Sequence, residues 1–212
     1  MSNKGKFITF EGGEGVGKST QVNLLHQKII KKGVKCQLTR EPGGSPGAEE
    51  IRELLVKGGT DKWYPMTEAL LHNAARAEHL EQTVLPAIES GTWVISDRYV
   101  DSTLAYQGYG QGVDVERLLK LHKISTGDYW PDVTIVLDGQ ELNRALEREE
   151  ENTDKEDRYE RMGAEFHKKL QESFLDIARK HPERCIVVSA KGTIDEVANR
   201  IWQAIAPKLE LL

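Results

Sequence analysis

Hydrophobic and polar positions along this 212-residue chain fall into two alternating patterns. Short, largely apolar runs occur at 7–10, 34–39, 93–96, 133–138 and 185–189. Several of them are unbroken, as expected for strands buried on both faces of a parallel sheet. Between them, apolar residues recur every three or four positions. That spacing predicts helices at about 18–32, 48–56, 66–90, 115–125, 141–148, 163–181 and 194–207. Strand-helix alternation of this kind implies an α/β protein, with helices on both faces of a parallel sheet. Neither an internal repeat nor a low-complexity linker interrupts it, so one domain over 1–212 is expected.

Composition narrows the classes. Apolar residues make up 38% and charged residues 30% of the chain, as in a globular protein with a real core. A net charge of −5 argues against a general nucleic-acid binder. No apolar run has membrane-spanning length, and the start, Met1-Ser-Asn-Lys-Gly-Lys6, lacks the apolar centre of a signal peptide. The two cysteines, Cys36 and Cys185, fall in expected strands and read as reduced core residues of a cytoplasmic protein.

The first strand runs into Gly12-Gly13-Glu14-Gly15-Val16-Gly17-Lys18-Ser19-Thr20, a G-x-x-x-x-G-K-S loop that opens a helix. Glycines let the backbone curl until successive N–H groups converge, and the helix adds the positive end of its dipole. Lys18 can reach the β- and γ-phosphates, and the Ser19 hydroxyl can hold Mg²⁺. The loop therefore predicts binding of a nucleoside triphosphate, without naming the reaction.

In parallel sheets ligands sit beyond the carboxyl ends of the strands. Charged or glycine-rich groups follow three other strands: Arg40-Glu-Pro42-Gly-Gly44, Asp97-Arg98-Tyr99 and Ser189-Ala-Lys191-Gly192. Arg40 with its rigid turn reads as an anion site or as an ordinary turn. Asp97 can orient Lys18 or a Mg²⁺ water and Arg98 can clamp a phosphate; the alternative is an internal Asp–Arg pair. Thr103 and Gln107, four apart, face a base edge or merely cap a helix. His72 and Arg76 share a helical face, and on spacing alone a surface pair is the plainer reading. The segment from Arg144 to Arg161 is dense in charge. It reads as a solvated helix end, as a lid carrying arginines to transferring phosphates, or as both.

Together these pieces resemble the thymidylate kinase family along nearly the whole chain. Phe10-Glu-Gly-Gly-Glu-Gly-Val-Gly-Lys-Ser-Thr-Gln21, Arg-Glu-Pro-Gly-Gly, Asp-Arg-Tyr, Ser102-Thr-Leu-Ala-Tyr-Gln-Gly108 and Asp157-Arg158-Tyr159-Glu160 carry the likeness in order and spacing. The resemblance implies a P-loop, nucleoside-monophosphate-kinase-like fold with a five-stranded parallel sheet, a lid at about 144–161, and usually a homodimer. It implies transfer of the ATP γ-phosphate to dTMP with Mg²⁺, for dTTP synthesis, with Lys18, Glu14, Asp97, Arg98, Arg148 and Arg158 as catalytic residues. ATP would rest on Gly12 through Thr20, with Arg144 and Lys191, and Mg²⁺ on Ser19 and Asp97. Glu14, Arg40, Pro42, His72, Arg76, Arg98, Thr103, Tyr106 and Gln107 would bind dTMP. Gly15 stands where one branch of the family has an arginine, so the lid must supply that charge. His72 stands where the family usually has a thymine-stacking Phe. As a stack alone, His72→Phe would keep or improve dTMP binding, and an imidazole there would make binding vary between about pH 5 and 8.

Two other classes fit parts of the pattern. A deoxynucleoside kinase, or another nucleoside monophosphate kinase, shares the fold, and the former needs a carboxylate base for a hydroxyl acceptor. A P-loop switch or plain ATP-binding module is the more distant alternative. The N-K-x-D and D-x-x-G patterns of a GTPase switch do not occur in the chain.

Overall fold

The computed structural model describes residues 4–139, 158–159 and 161–209. Five strands, β1 (Phe7–Glu11), β2 (Cys36–Arg40), β3 (Trp93–Asp97), β4 (Val133–Asp138) and β5 (Cys185–Ser189), form one sheet in the order β2-β3-β1-β4-β5. Every pairing is parallel, with Phe10 beside Asp97 and Glu11 beside Val136. The carboxyl ends of β1, β2 and β3 therefore lie side by side. All five expected strands are present, displaced at their ends by two residues or fewer.

Alternation along β1 divides the core. Phe7 packs with Leu80, Val94, Tyr99 and Phe174 on one face, and Ile8 and Phe10 pack with Leu25, Ile29, Ile95 and Ile201 on the other. Each such side chain is fully buried or nearly so, worth about 1.5–3 kcal/mol of hydrophobic stabilisation. Helix α1 (Lys18–Lys31) and α8 (Ile194–Ile205) cover the second face. Helices α2 (Pro46–Val56) and α3 (Pro65–His79) each begin on a proline, whose fixed φ suits a first helical turn.

The helix expected over 66–90 is not continuous. After α3 the chain widens into a π-helical turn at Leu80–Val84 and resumes as α4 (Leu85–Glu89), with Pro86 in its first turn. Sequence periodicity also gave no helix after Asp97. There α5 (Val100–Thr103) passes into a π-helical stretch, Leu104–Gly110, whose wider turn does not follow a 3.6-residue repeat. Helix α6 (Val115–Thr126) ends on Gly127 in the left-handed region, and α7 (Ala164–Lys180) packs against the π-helical stretch. The expected helix at 141–148, with Arg144 and Arg148, lies outside the described residues. Among the described residues no helix is long and apolar enough to cross a membrane.

Candidate active site

The loop between β1 and α1 lines an open crevice of about 650 Å³, with Glu14 through Gln21 on its wall. Gly12 has φ 137°, and a Cβ there would meet the Leu137 carbonyl at 2.8 Å; only glycine fits this crossing. Lys18 is 6% exposed, and its Nζ donates to the Gly12 and Gly13 carbonyls at 3.0 and 2.6 Å. Val16 is buried and pins the loop to the second core face, while Thr20 is exposed along the crevice.

Ser19 Oγ donates to Asp97 Oδ2 at 2.8 Å. The other Asp97 oxygen is buried with no hydrogen-bond partner among the described residues. A hydroxyl beside a carboxylate with a spare oxygen is a hard-oxygen set suited to Mg²⁺, which takes one or two protein ligands and fills the rest with phosphates and water. Lys191 sits at the far rim: Ala190 and Gly192 line the crevice, while the Lys191 side chain is exposed.

Arg98 follows β3 directly and carries φ 75°, the left-handed region that a non-glycine residue occupies only when its surroundings hold it there. Its main-chain N–H donates to the Phe10 carbonyl at 2.9 Å. The guanidinium donates to Glu14 Oε1 at 2.8 Å, Ser102 Oγ at 3.0 Å and the Tyr106 hydroxyl at 3.1 Å. Tyr106 donates in turn to Glu14 at 2.8 Å. Burial alone would raise the Glu14 carboxyl, but the cations of Arg98 and Lys18 and these hydrogen bonds bring it down to about 2. Arg98 thus pairs with Glu14 rather than with its neighbour Asp97. Ser102 also donates to the buried Glu11 at 2.6 Å; burial and the nearby Asp101 push the Glu11 carboxyl up to about 8.

Beyond Arg98 lies a second, more enclosed cavity of about 200 Å³. Glu14, Glu41, Arg52 and Arg98 line both cavities. The smaller one also has Pro42, His72, Arg76, Tyr106, Gln107 and Tyr159 on its wall. Arg76 is 2% exposed, so the surface reading of the His72–Arg76 pair does not hold. Its Nε donates to Glu41 Oε2 at 2.8 Å and its Nη2 to Thr103 Oγ1 at 2.9 Å. The remaining Nη1 is buried with no hydrogen-bond partner among the described residues. Glu41 also holds His79 Nδ1 at 2.9 Å. Burial would raise Glu41, but Arg76 and His79 together lower it.

Several expected site residues take other positions. Thr103 points at Arg76 and is not on the cavity wall, so it supports the arginine rather than presenting an edge of its own; Gln107 is on the wall and donates to Glu68 at 2.6 Å. Arg40 lines the phosphate crevice only, with its side chain 53% exposed and bonded to Glu49 at 3.1 Å. Arg158 differs most. It is 1% exposed, pairs with Glu68 at 2.5 Å, and donates to the carbonyls of Leu55, Gly59 and Thr60. These bonds tie the guanidinium beneath the α2–α3 connection, away from the walls of the two cavities. The reason is Glu68: a buried carboxylate draws in a cation, and no pattern around Arg158 announces that partner. For His72, burial and the surrounding Arg76, Arg158, Arg98 and Arg52 push the imidazole down to about 3. It stays neutral from pH 5 to 8, so the pH dependence expected of it is withdrawn.

Sequence reasoning missed Glu41, Glu68 and Tyr159 as site residues. Glu41 and Tyr159 stand inside the quoted motifs, where their neighbours drew the attention. Glu68 had no signal, since its partners are 90 and 39 positions away at Arg158 and Gln107.

A phosphate loop sharing its walls with a small, cation-lined acceptor cavity defines a P-loop phosphotransferase for a nucleotide-sized acceptor. A family model described as thymidylate kinase matches residues 10–201, and the chain belongs to that family. It is 44% identical over 205 residues to the thymidylate kinase of Rhizorhabdus wittichii, covering 97% of this chain and 99% of that one. It is 45% identical over 202 residues to that of Magnetococcus marinus, covering 95% and 96%. The crystal structure of thymidylate kinase from Ehrlichia chaffeensis superposes with a TM-score of 0.77 at 33% identity, covering 95% of this chain and 99% of that one.

Proposed function

We propose that the chain transfers the γ-phosphoryl group of ATP to the phosphate of dTMP, giving dTDP and ADP. The observation that carries this reading is the shared wall. Glu14 and Arg98 border both cavities, so a donor in the crevice and an acceptor in the pocket meet at them. The acceptor is already an anion near neutral pH and needs no strong base. Glu14, held near 2 and bonded to Arg98, is poorly suited to be one, which disfavours a hydroxyl-phosphorylating deoxynucleoside kinase. The work left for the protein is to bring two polyanions together. Lys18 and Arg98 supply positive charge, and Arg40 stands on the same crevice to join them. Mg²⁺, held by Ser19 and Asp97, would supply further charge between the phosphates. The unpartnered Arg76 Nη1 suits a thymine carbonyl. With Gly15 bare and Arg158 buried under Glu68, lid charge falls to Arg148 and Arg144.

The reading includes a homodimer in the cytoplasm, formed by a single domain. Exposed Leu54, Leu70 and Ile124 on α2, α3 and α6 support a second copy. Cys36 and Cys185 are both free thiols, in keeping with a reducing compartment. Coupled ADP release measured across all nucleoside monophosphates tests the activity. dTMP should be the preferred acceptor by a wide margin; parity with AMP, GMP or CMP sinks the reading.

A further inference from the structure

His72 does something a phenylalanine cannot. Its Nε2 lies 2.8 Å from the hydroxyl of Tyr159, a residue 87 positions away between β4 and α7. Both side chains are on the wall of the smaller cavity. The Tyr159 ring meets Tyr106 edge-on, with centroids 5.4 Å apart, and Tyr106 is the residue that reaches Glu14. The backbone beside this ring is already fixed, because Arg158 is bonded to Glu68 and to three carbonyls of the α2–α3 connection. The Tyr159 hydroxyl also faces Glu68 and Arg158, and the bond to His72 adds a further tie at the far end of the ring. The imidazole and phenol rings are tilted at 45°, with centroids 6.0 Å apart, and are not stacked. The contact between them is therefore the hydrogen bond.

We infer that His72 is a positioning residue for the acceptor pocket: through Tyr159 it fixes the wall against which the nucleotide acceptor packs. This rests on the acceptor reading of the cavity and departs from the view of His72 as a stacking ring alone. Either polarity of the bond, imidazole N–H to phenol oxygen or phenol O–H to imidazole nitrogen, fixes the same geometry. A phenyl ring at position 72 keeps aromatic area over the pocket but leaves the Tyr159 hydroxyl without this partner.

The test is a double-mutant cycle with His72→Phe, Tyr159→Phe and the pair, measuring KM for dTMP, KM for ATP, kcat and thermal melting. Each single change removes polar atoms while keeping an aromatic ring, so the fold should survive. Each should raise KM for dTMP by about three- to tenfold, the worth of one net hydrogen bond, with KM for ATP and kcat little changed. The double variant should be no worse than either single one. An unchanged or lower KM in His72→Phe overturns the inference, as do effects of the two changes that multiply. If the wild-type enzyme prefers another nucleoside monophosphate, the dTMP reading falls, and the same cycle run with that acceptor still decides the role of His72.

Discussion

The two cavities are built from different materials. The phosphate crevice is built around one continuous stretch, Glu14 to Gln21, and it is open. The acceptor pocket is made of side chains from residues 14, 41, 72, 76, 98, 106 and 159, and its polar groups are mostly buried and paired. The difference follows from what each must recognise. A polyphosphate is read by converging N–H groups, which one loop can supply. A flat base with few polar atoms needs fixed donors at chosen places, and a fixed donor needs a partner behind it. Arg76 has Glu41 and Thr103 behind it, and Arg98 has Glu14 and Ser102. Removing a buried charge behind the acceptor side should therefore cost stability, and removing a cation of the phosphate loop should cost rate.

Arg158→Ala tests this split most severely. On the buried-anchor view it strands Glu68, which is 0% exposed, without its cation. Breaking such a pair costs about 3–5 kcal/mol, or roughly 6–20 °C of melting temperature in a chain of this size. If Arg158 instead served the transferring phosphate, melting would hold while kcat fell by about 10³–10⁵-fold. Calorimetry with kinetics on the one variant separates the two, and an unshifted melting temperature would refute the anchor.

Lys18→Ala should behave in the opposite way. Among the described residues its Nζ bonds two carbonyls of its own loop and no distant element, so the fold has little to lose. kcat should drop by about 10²–10³-fold, the range for one preorganised donor. A variant that melts well below the wild type would show the crevice to be as structural as the pocket.

The same division explains what the sequence made legible. The five strands could be read because each is a short apolar run ending in a recognisable turn, and the phosphate loop because its chemistry is local. The π-helical stretches at Leu80–Val84 and Leu104–Gly110 broke the helical period and could not be read from it. Arg76 and His72 stood out only through the family resemblance, because spacing alone favoured a helix surface. Arg158 was assigned to the phosphates because an arginine in a charged segment shows its charge and hides its partner. Buried pairs between Arg158 and Glu68, or between Arg76 and Glu41, join residues far apart in the chain, and each needs the whole fold before either partner has a meaning.

The smallest expected effect concerns pH, and it separates the two sides once more. A group lowered by folding, such as His72 at about 3 or Glu14 at about 2, stabilises the fold fully above its unfolded pKa. That contribution is lost as pH falls, between about 6.5 and 3 for His72 and between about 4.5 and 2 for Glu14. Glu11, raised to about 8, works in the other direction: its contribution is lost as pH rises from about 4.5 through 8. None of these puts a charge change on the acceptor wall near neutrality, since burial, together with Arg76, Arg158 and Arg98 around His72, keeps its proton off. KM for dTMP will still change below about pH 6 as the acceptor's own phosphate gains a proton, because a phosphate monoester titrates there. The ratio of KM between His72→Phe and the wild type cancels that term. It should stay constant from pH 5.5 to 8, and a ratio that bends within this range would mean that the imidazole takes up a proton in the pocket and that its cationic surroundings are weaker than their geometry implies.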